Sequence, residues 1–553
     1  MAVNQLLNKV LEHNELNLLD LSNQLEYNPF LMKGMRELVD YLDSQHARTS
    51  PIRIVGDYDV DGEMSTKLWL DIGDTLDLNM DFYIPDRKID NYGINVDIIE
   101  KAYKDGIKTI ITCDNGIAAV NAISRAKELG LYVIVTDHHR ADDEDNLPPA
   151  DIILNPNQPG CVYPFKGLCG AGVVLKVMEA LGAVRPDSYE LATIATVCDV
   201  MDVLDENRRI VVEGLKSLRY PKNFGLCKLC EELDLLDKDI STYHIGFVIG
   251  PHLNAAGRLE DASLAVELLQ SNDLNVCNEI VAHLKALNEE RQNLTDLGVQ
   301  KAMKKCRKED RINVIYLEEA EEGIIGIIAQ RIVEYTCKPT FIFTKAFLQN
   351  SEDEITIKGS GRSLIGYDMY AEVDNVSYFL DSYGGHAGAA GVSMRIDMLQ
   401  AFKECLNESA ILNNYQFSKE DKYLEIKVAD VNVDNIKSLK RLEPFGKGNP
   451  KPMFKIKKLN ILRLNKCGAN RDIIQFQLAD INKRKLKGVA FRIVEAIDKV
   501  LFKKYSPEEV AKFYSGIANN SLINVMGELN INEYQGNEYP QMIIRGIELY
   551  EEE

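Results

Sequence analysis

Acidic and imidazole side chains follow three short apolar runs in the first third of the chain. Gly-Asp-Tyr-Asp-Val-Asp-Gly (56–62) follows the first run, Cys-Asp-Asn-Gly (113–116) the second and Asp-His-His (137–139) the third. A further acid, Asp199, follows the apolar run Leu191–Cys198. One Asp-Gly or Asn-Gly pair alone would indicate only a turn. Four such elements in series predict a functional site, whose candidate residues are Asp57, Asp59, Asp61, Asp114, His138, His139 and Asp199.

The chemistry of these side chains favours a divalent metal. Carboxylates and imidazoles without thiolates suit Mn²⁺, with Mg²⁺ as the alternative. Acids that converge on one crevice repel one another unless cations neutralise them. With this many ligands, two ions that share a bridging carboxylate are expected, as in two-metal hydrolases.

The elements that must position these residues alternate between strands and helices. Candidate strands are Ile52–Val55, Asp81–Ile84, Thr109–Thr112, Tyr132–Thr136 and Ile152–Leu154, and helical patterns cover Met64–Leu78, Ala118–Leu129 and Val173–Leu181. This alternation predicts an α/β fold with a parallel sheet and helices on both faces. Ligands of such sheets bind beyond the carboxyl ends of the strands, which is where the acids lie.

The remainder of the chain divides by composition. Asn278–Cys306 is a long, charged pattern that predicts a connecting helix, and a second mixed α/β region follows from about Arg311 to Leu406. The net charge of the chain is −21, yet residues 437–504 contain 19 lysines and arginines against 5 acids. A basic module on an acidic body favours a polyanionic partner such as nucleic acid. A solvated basic surface, or a docking face for an acidic protein, is the alternative.

Four motifs resemble those of the DHH phosphoesterase superfamily: GDYDVDG, CDNG, TDHH and the later VCDV. IPDRKIDNYGIN (84–95) and GPHLNAAGRLEDASLAVELL (250–269) are similar to its RecJ branch of single-stranded-DNA-specific exonucleases. GSGRS (359–363) and GGHAGAAG (384–391) resemble the DHH-associated domain, and LEPFGKGNPKPMF (442–454) resembles the start of the RecJ oligonucleotide-binding barrel. The resemblance covers nearly the whole chain from about Ile52.

The resemblance implies a parallel-sheet DHH domain, a long connecting helix, a second α/β DHH-associated domain and a C-terminal OB-fold β-barrel. The expected boundaries are an N-terminal helical lead at 1–50, the DHH catalytic domain at 51–272, the helix at 273–310, the associated substrate-binding domain at 311–410, a linker at 411–436 and the OB fold at 437–553.

The resemblance also assigns roles. The implied metal ligands are Asp57, Asp59, Asp61, Asp114, His138 and Asp199, with Asp114 bridging two ions, and His139 completes the catalytic set. The implied substrate-binding residues are Arg87, Asn254, Arg258, Ser360, Arg362, Gly385 and His386. A guanidinium fork, a hydroxyl and a glycine-rich backbone are groups that suit a phosphate.

Three departures from the family pattern bear on these roles. Val55 stands where related pyrophosphatases have a metal-binding histidine, so Asp57 is either an outer partner or a substitute ligand, and the first metal site is expected to be weak. His252 replaces a usual arginine. Glu321 and Glu322 stand where the family has a His-Pro-Gly segment, and two acids near a phosphate path would repel it.

The implied function is metal-dependent 5′→3′ hydrolysis of phosphodiester bonds in single-stranded DNA, in DNA repair and recombination. The alternatives are a phosphoesterase for short oligonucleotides or cyclic dinucleotides, and a non-catalytic nucleic-acid-binding scaffold. Expected partners are single-stranded DNA and a helicase or single-strand-binding protein. The eleven scattered cysteines and the lack of a signal-like start or of an apolar run near 18 residues predict a cytoplasmic location without membrane insertion.

Overall fold

The chain divides into two compact units. The computed structural model describes residues 5–18, 21, 25–90, 93–141, 146–347, 355–415, 423–468, 471–517 and 521–550. The larger unit spans residues 24–420, and the smaller combines residues 1–23 with 421–553. Helix α1 (Gln5–His13) opens the chain and belongs to the smaller unit. Among the described residues, no helix is both long and apolar enough to cross a bilayer.

A five-stranded parallel sheet forms the centre of the larger unit. Its strands are β1 (Ile52–Val55), β2 (Met80–Tyr83), β3 (Thr109–Cys113), β4 (Tyr132–Thr136) and β5 (Ile152–Leu154), in the order β2-β1-β3-β4-β5. Side chains that alternate along each strand enter two hydrophobic cores: Ile54 belongs to one, and Val55 and Ile110 belong to the other. Both faces are therefore covered, and the predicted α/β fold is confirmed.

Helices surround this sheet. They are α2 (Met35–Leu42), α3 (Gln45–Thr49), α4 (Val60–Leu76), α5 (Val96–Lys104), α6 (Val120–Glu128), α7 (Gly170–Leu181), α8 (Ser188–Cys198), α9 (Asp205–Leu218), α10 (Phe224–Glu232), α11 (Thr242–His244), α12 (Gly250–Leu259) and α13 (Ser263–Gln270). A π-helical turn, Ile245–Ile249, joins α11 to α12. Helix α4 begins earlier than the apolar pattern predicts because Asp59 caps its first turn.

A 32-residue helix, α14 (Leu274–Lys305), leads to a second α/β region. Strands β6 (Asn313–Tyr316), β7 (Thr340–Lys345), β8 (Thr356–Arg362), β9 (Ser382–His386) and β10 (Ala389–Arg395) form a sheet of order β6-β7-β8-β10-β9. Helices α15 (Ile325–Thr336), α16 (Met369–Asn375) and α17 (Leu399–Leu412) accompany it. The long connecting helix and the second α/β region were both predicted.

The C-terminal part of the smaller unit is a closed barrel. Its elements are β11 (Tyr423–Glu425), α18 (Val433–Leu439), β12 (Met453–Cys467), β13 (Ile473–Ala479), β14 (Lys485–Phe491), α19 (Val494–Leu501), α20 (Pro507–Ser515), β15 (Leu522–Tyr534) and β16 (Asn537–Leu549). The order β12-β13-β14-β16-β15 closes through a pairing of β12 with β15. Phe454 and Phe476 are buried in the barrel, whereas Phe491 is exposed.

Candidate metal centre and phosphate-binding site

The first acidic motif forms the start of the buried helix α4. The Asp59 carboxylate accepts hydrogen bonds from the backbone N–H groups of Asp61 (3.0 Å) and Gly62 (3.2 Å). Asp61, one residue inside the helix, is almost fully buried. Because the cap uses one oxygen of Asp59, the strand-to-helix turn holds both carboxylates in fixed positions at the end of β1.

The N-terminus of α7 fixes the Asp61 side chain. The two carboxylate oxygens of Asp61 accept hydrogen bonds from the backbone N–H groups of Gly170 (2.5 Å) and Ala171 (2.7 Å). A Cβ on Gly170 would lie 2.7 Å from the Cβ of Asp114, so only glycine allows this approach. The positive end of the helix dipole also favours the charge on Asp61.

Asp114 follows β3 in the left-handed backbone region, with φ of +61°. Its carboxylate lies 3.0 Å from Nε2 of His138. The neighbouring Asn115 donates from its amide to the carbonyl oxygens of Val55 and Cys113 and thereby ties the ends of β1 and β3 together. Aspartate and asparagine tolerate the left-handed conformation better than other non-glycine residues.

The two histidines after β4 lie in different electrostatic environments, because His138 is largely enclosed among carboxylates and His139 is bound to Asp137. Burial lowers the pKa of His138 below its ordinary value, which favours the neutral imidazole that a metal requires. Burial opposes the charged form of His139, but its hydrogen bond to Asp137 (2.8 Å) and the negative charges of Asp137, Asp199 and Asp61 together raise its pKa to about 9. Asp137 also accepts from the backbone of His138 and of Ile117, so it orients the whole segment. This role of Asp137 was not predicted from the sequence.

The predicted ligands converge in two groups at the carboxyl ends of the strands. In each group the potential ligand atoms all lie within 4.8 Å of one another: Asp57, Asp59 and Asp114 form the first group, and Asp61, His138 and Asp199 form the second. The His138 Nε2 atom is 3.7 Å from Asp61 and 3.8 Å from Asp199. Asp114, which faces His138, lies where the two groups meet.

The negative charges of this acidic cluster favour a bound cation. Burial, and then repulsion from Asp61, Asp59 and Asp57, raises the pKa of Asp114 well above its ordinary value. Burial and the charge of Asp59 raise the pKa of Asp57 to about 8. Beside them Glu63 is fully buried, and neither of its carboxyl oxygens has a partner among the described residues. A crowded donor set of carboxylates and one imidazole that burial favours in its neutral form fits divalent metal binding.

Four arginines form a guanidinium cluster beside the acids. Arg87 lies near Asp57 and Arg258 near Asp59, and both Arg291 and Arg362 lie near Arg258. Burial, and then the charges of Arg87, Arg291 and other neighbours, lowers the pKa of Arg258 to about 9. Within the described chain, no carboxylate lies within ion-pair distance of these arginines, and the acceptors of their hydrogen bonds are neutral: Gly257 O for Arg87, Gly323 O for Arg258, Asn288 Oδ1 for Arg291, and Ser360 Oγ and Gly361 O for Arg362. Such uncompensated positive charge is what a phosphate-binding site offers.

Arg291 is a member of this cluster that the sequence analysis did not identify. Asn288 accepts two hydrogen bonds from its guanidinium (3.1 and 2.8 Å) and donates to Nε2 of His252 (3.0 Å). His252 is held in turn by the carbonyl of Val248 (2.7 Å). No motif marks Arg291, which lies in the middle of α14, and only the packing of α12 on α14 reveals it.

The predicted residues of the second α/β region lie at two places on its sheet. Ser360 and Arg362 are on β8, where Arg362 donates to the Ser360 hydroxyl (2.9 Å). Gly385 and His386 are on the exposed edge strand β9. Since His386 and Arg362 both pair with Ala389 on the intervening β10, their side chains leave the same face of the sheet.

The structure also shows the surroundings of Asn254 and of residues that depart from the family pattern. The buried Oδ1 of Asn254 has no partner among the described residues. Val55 is fully buried in a hydrophobic core. Glu321 pairs with Lys88 (3.1 Å), and Glu322 with Lys358 (3.0 Å), so lysines offset the two acids that were expected to repel phosphate.

Three family profiles match this arrangement in order along the chain. The DHH family N-terminal domain covers residues 51–198, the DHHA1 domain 309–410 and the RecJ OB domain 424–546. The chain belongs to the RecJ type of the DHH family. The resemblance drawn from the motifs is thereby confirmed, and so is the predicted C-terminal OB-fold barrel.

Similar proteins carry the RecJ name. The single-stranded-DNA-specific exonuclease RecJ of Bacillus subtilis is 34% identical over 94% of this chain, which spans 64% of that protein's length. The structure of Thermus thermophilus RecJ with Mn²⁺ matches with a TM-score of 0.80 at 24% identity, over all of this chain and 76% of that one. A structure of exonuclease RecJ bound to manganese matches with a TM-score of 0.58 at 28% identity, over 69% of this chain and 95% of that one.

Proposed function

We propose that this RecJ-type chain is a metal-dependent exonuclease that hydrolyses single-stranded DNA from the 5′ end, in DNA repair and recombination. The observation that carries the proposal is that two clusters of opposite charge lie close together. Six metal-ligand candidates crowd at one sheet edge, and near them lies a cluster of four arginines that have no acidic partner in the described part of the chain. Carboxylates for cations and guanidinium groups for phosphates are the two requirements of phosphodiester hydrolysis.

The proposed cofactor is a pair of Mn²⁺ ions, with Mg²⁺ as the alternative. Asp57, Asp59 and Asp114 would hold one ion, and Asp61, His138 and Asp199, with Asp114, the other. When bound, such ions polarise the phosphodiester and lower the pKa of a water molecule. A structure named as RecJ bound to manganese, 28% identical to this chain, supports the choice of metal.

The protein's own residues would then orient the substrate. In the described part of the chain Arg258 and Arg362 donate only to neutral acceptors, and we assign their other N–H groups to phosphate oxygens. The buried Asn254 Oδ1, which lacks a partner among the described residues, lies on the same helix as Arg258. His139 is held by Asp137, and as a cation it would face a phosphate rather than a metal. These roles, a helicase or single-strand-binding protein as partner and a cytoplasmic location stay predictions.

A substrate panel tests the proposal. The full chain with Mn²⁺ is incubated with 5′-labelled single strand, the matching duplex, a dinucleotide and a cyclic dinucleotide. Labelled mononucleotide released first from the single strand supports the proposal. Turnover of only the dinucleotide or the cyclic dinucleotide would support the small-substrate phosphoesterase instead, and no turnover of any substrate would support a scaffold.

One metal site should be weak, because Val55 stands where the related pyrophosphatases have a metal-binding histidine. We expect activity to rise in two phases with Mn²⁺, because Asp57 offers a single buried carboxyl group where the related pyrophosphatases use an imidazole. Asp57→Asn should move the second phase to still higher Mn²⁺ concentration and leave the first unchanged. Isothermal titration with Mn²⁺ that shows two equal, tight sites would contradict this prediction.

The basic hairpin of the barrel should hold long strands. Lys483, Arg484, Lys485 and Lys487 lie in and after the turn between β13 and β14, and the Lys487 ammonium lies over the ring of Tyr539 (5.3 Å). Their reversal to glutamate should weaken binding of a long single strand and flatten its salt dependence, since each phosphate contact contributes a slope of about −0.7. Cleavage of a very short oligonucleotide should not change.

Charge reversals are preferred to a deletion of the barrel. Helix α1 buries Leu6, Leu7 and Val10 within the same unit as the barrel, so a deletion would expose them. Reversal of the exposed Lys499, Lys503, Lys504 and Lys512 is the control for net charge. Equal loss of binding in the two variants would mean that the hairpin is not a specific contact.

A further inference from the structure

Two aromatic side chains stack on each other in solvent at the π-helical turn. The rings of Tyr243 and Phe247 lie 5.0 Å apart with an angle of 27° between their planes. Their residues are 63% and 71% exposed. Single exposed apolar residues are common on protein surfaces, but a stacked pair with this exposure presents a flat apolar surface that the described residues do not cover.

The helix that carries this pair runs along the acidic cluster. A Cβ on Gly250 would lie 2.4 Å from Sγ of Cys198, the residue before Asp199. A Cβ on Gly257 would lie 2.0 Å from the carbonyl oxygen of Tyr58, the residue before Asp59. One continuous helical segment therefore contacts the chain next to a candidate ligand from each of the two groups.

The backbone is irregular both in this helical segment and directly after Asp199. Ile245–Ile249 forms a π-helical turn, and such turns are frequent at functional sites. Val200, directly after Asp199, is 60% exposed and has φ of +56°, a strained value for a β-branched residue. A Cβ on Gly246 would lie 3.7 Å from Val197, so the turn with the aromatic pair packs on the end of α8, where this strained segment begins.

We propose that Tyr243 and Phe247 form a stacking platform for the bases of single-stranded DNA near its cleaved end. This inference rests on the proposed function. Base–aromatic stacking accepts every base, which suits an enzyme that degrades a strand of any sequence. Arg258, in the guanidinium cluster, lies eleven residues after Phe247 on the same segment, a distance of about 16 Å along a helix. A strand with its terminal phosphates at the arginines would therefore bring a base within its first few nucleotides to the aromatic pair.

Abasic oligonucleotides separate base stacking from phosphate contacts. The substrates are an intact single strand and strands with one abasic site at successive positions from the 5′ end. For the full chain with Mn²⁺, Tyr243→Ala and Phe247→Ala should each raise KM for the intact strand roughly ten-fold, with kcat within about two-fold. On the strand whose abasic site removes the stacked base, the same substitutions should change KM little.

Tyr220→Ala, at a 55% exposed tyrosine elsewhere in the same unit, is the control and should behave like the unsubstituted protein. Unchanged KM in both alanine variants would overturn the platform. An equal rise of KM on intact and abasic strands would also overturn it, because the side chains would then act on the backbone or on the fold.

A fluorescence measurement tests the contact without hydrolysis. The chain contains one tryptophan, Trp69, which is fully buried, so Phe247→Trp adds a single exposed reporter. Binding of an intact strand with uncleavable 5′ linkages should quench this reporter, and the corresponding abasic strand should not. If Phe247→Trp hydrolyses an ordinary single strand but the uncleavable strand does not quench its fluorescence, the platform is overturned. If the uncleavable strand quenches the fluorescence but the ordinary strand is not hydrolysed, the platform is supported and the proposed exonuclease is overturned.

Discussion

Replacement of Asp114 by asparagine should abolish measurable hydrolysis of single-stranded DNA. The loss of a residue that only supports a metal ligand costs roughly 10- to 100-fold in activity or metal affinity. Asp114 lies between the two ligand groups, so its carboxylate would serve both ions and its loss should cost more. Steady-state hydrolysis of a 5′-labelled strand with Mn²⁺ measures the effect.

The same variant should fold normally. Asparagine tolerates the left-handed backbone of position 114, which alanine would strain. Burial and four neighbouring carboxylates make the charge of Asp114 costly without metal. The metal-free variant should therefore melt at the same temperature as the unsubstituted protein or higher, with a smaller rise on addition of Mn²⁺. Asp40→Asn, at an exposed acid, is the control, and an active Asp114→Asn enzyme would contradict the bridging role.

Replacement of Arg258 by methionine should raise KM for single-stranded DNA strongly. A hydrogen bond to a charged group contributes about 1.5–3 kcal/mol, which corresponds to roughly a 10- to 150-fold change in binding. Methionine keeps much of the side-chain volume and removes a buried charge that has no acidic partner within ion-pair distance among the described residues. We therefore expect kcat/KM to fall while thermal stability changes little.

A matched control is Arg48→Met, because Arg48 is exposed and pairs with Asp43. It should leave kcat/KM and its salt dependence unchanged. Arg258→Met should reduce the salt slope of strand binding by roughly one phosphate contact. An unchanged KM in Arg258→Met would mean that the guanidinium cluster does not receive the substrate.

The sequence predicted the sheet and its acidic edge because both depend on local patterns. Apolar runs that end in Asp59, Asp114 or His138 are visible along the chain, and parallel strands bring their carboxyl ends to one edge. The orienting role of Asp137 was not predicted, because the two histidines that follow it are the more typical metal ligands. Its role depends on hydrogen bonds to Ile117 and His139, which no spacing reveals.

The contacts that the sequence did not predict depend on packing between distant segments of the chain. Arg291 joins the guanidinium cluster only because α14 packs on α12, where Asn288 meets His252. The lysine partners of Glu321 and Glu322 likewise come from distant segments, Lys88 and Lys358. Departures from a family motif thus suggested a repulsion that neighbouring charges offset in the folded chain.

Anomalous diffraction from crystals of the full chain grown with Mn²⁺ tests the central claim most directly. We expect two manganese peaks, one among Asp57, Asp59 and Asp114 and one among Asp61, His138 and Asp199, both in contact with Asp114. Manganese bound elsewhere, or a cluster without manganese at concentrations that support hydrolysis, would contradict the assignment of this acidic cluster as the metal centre.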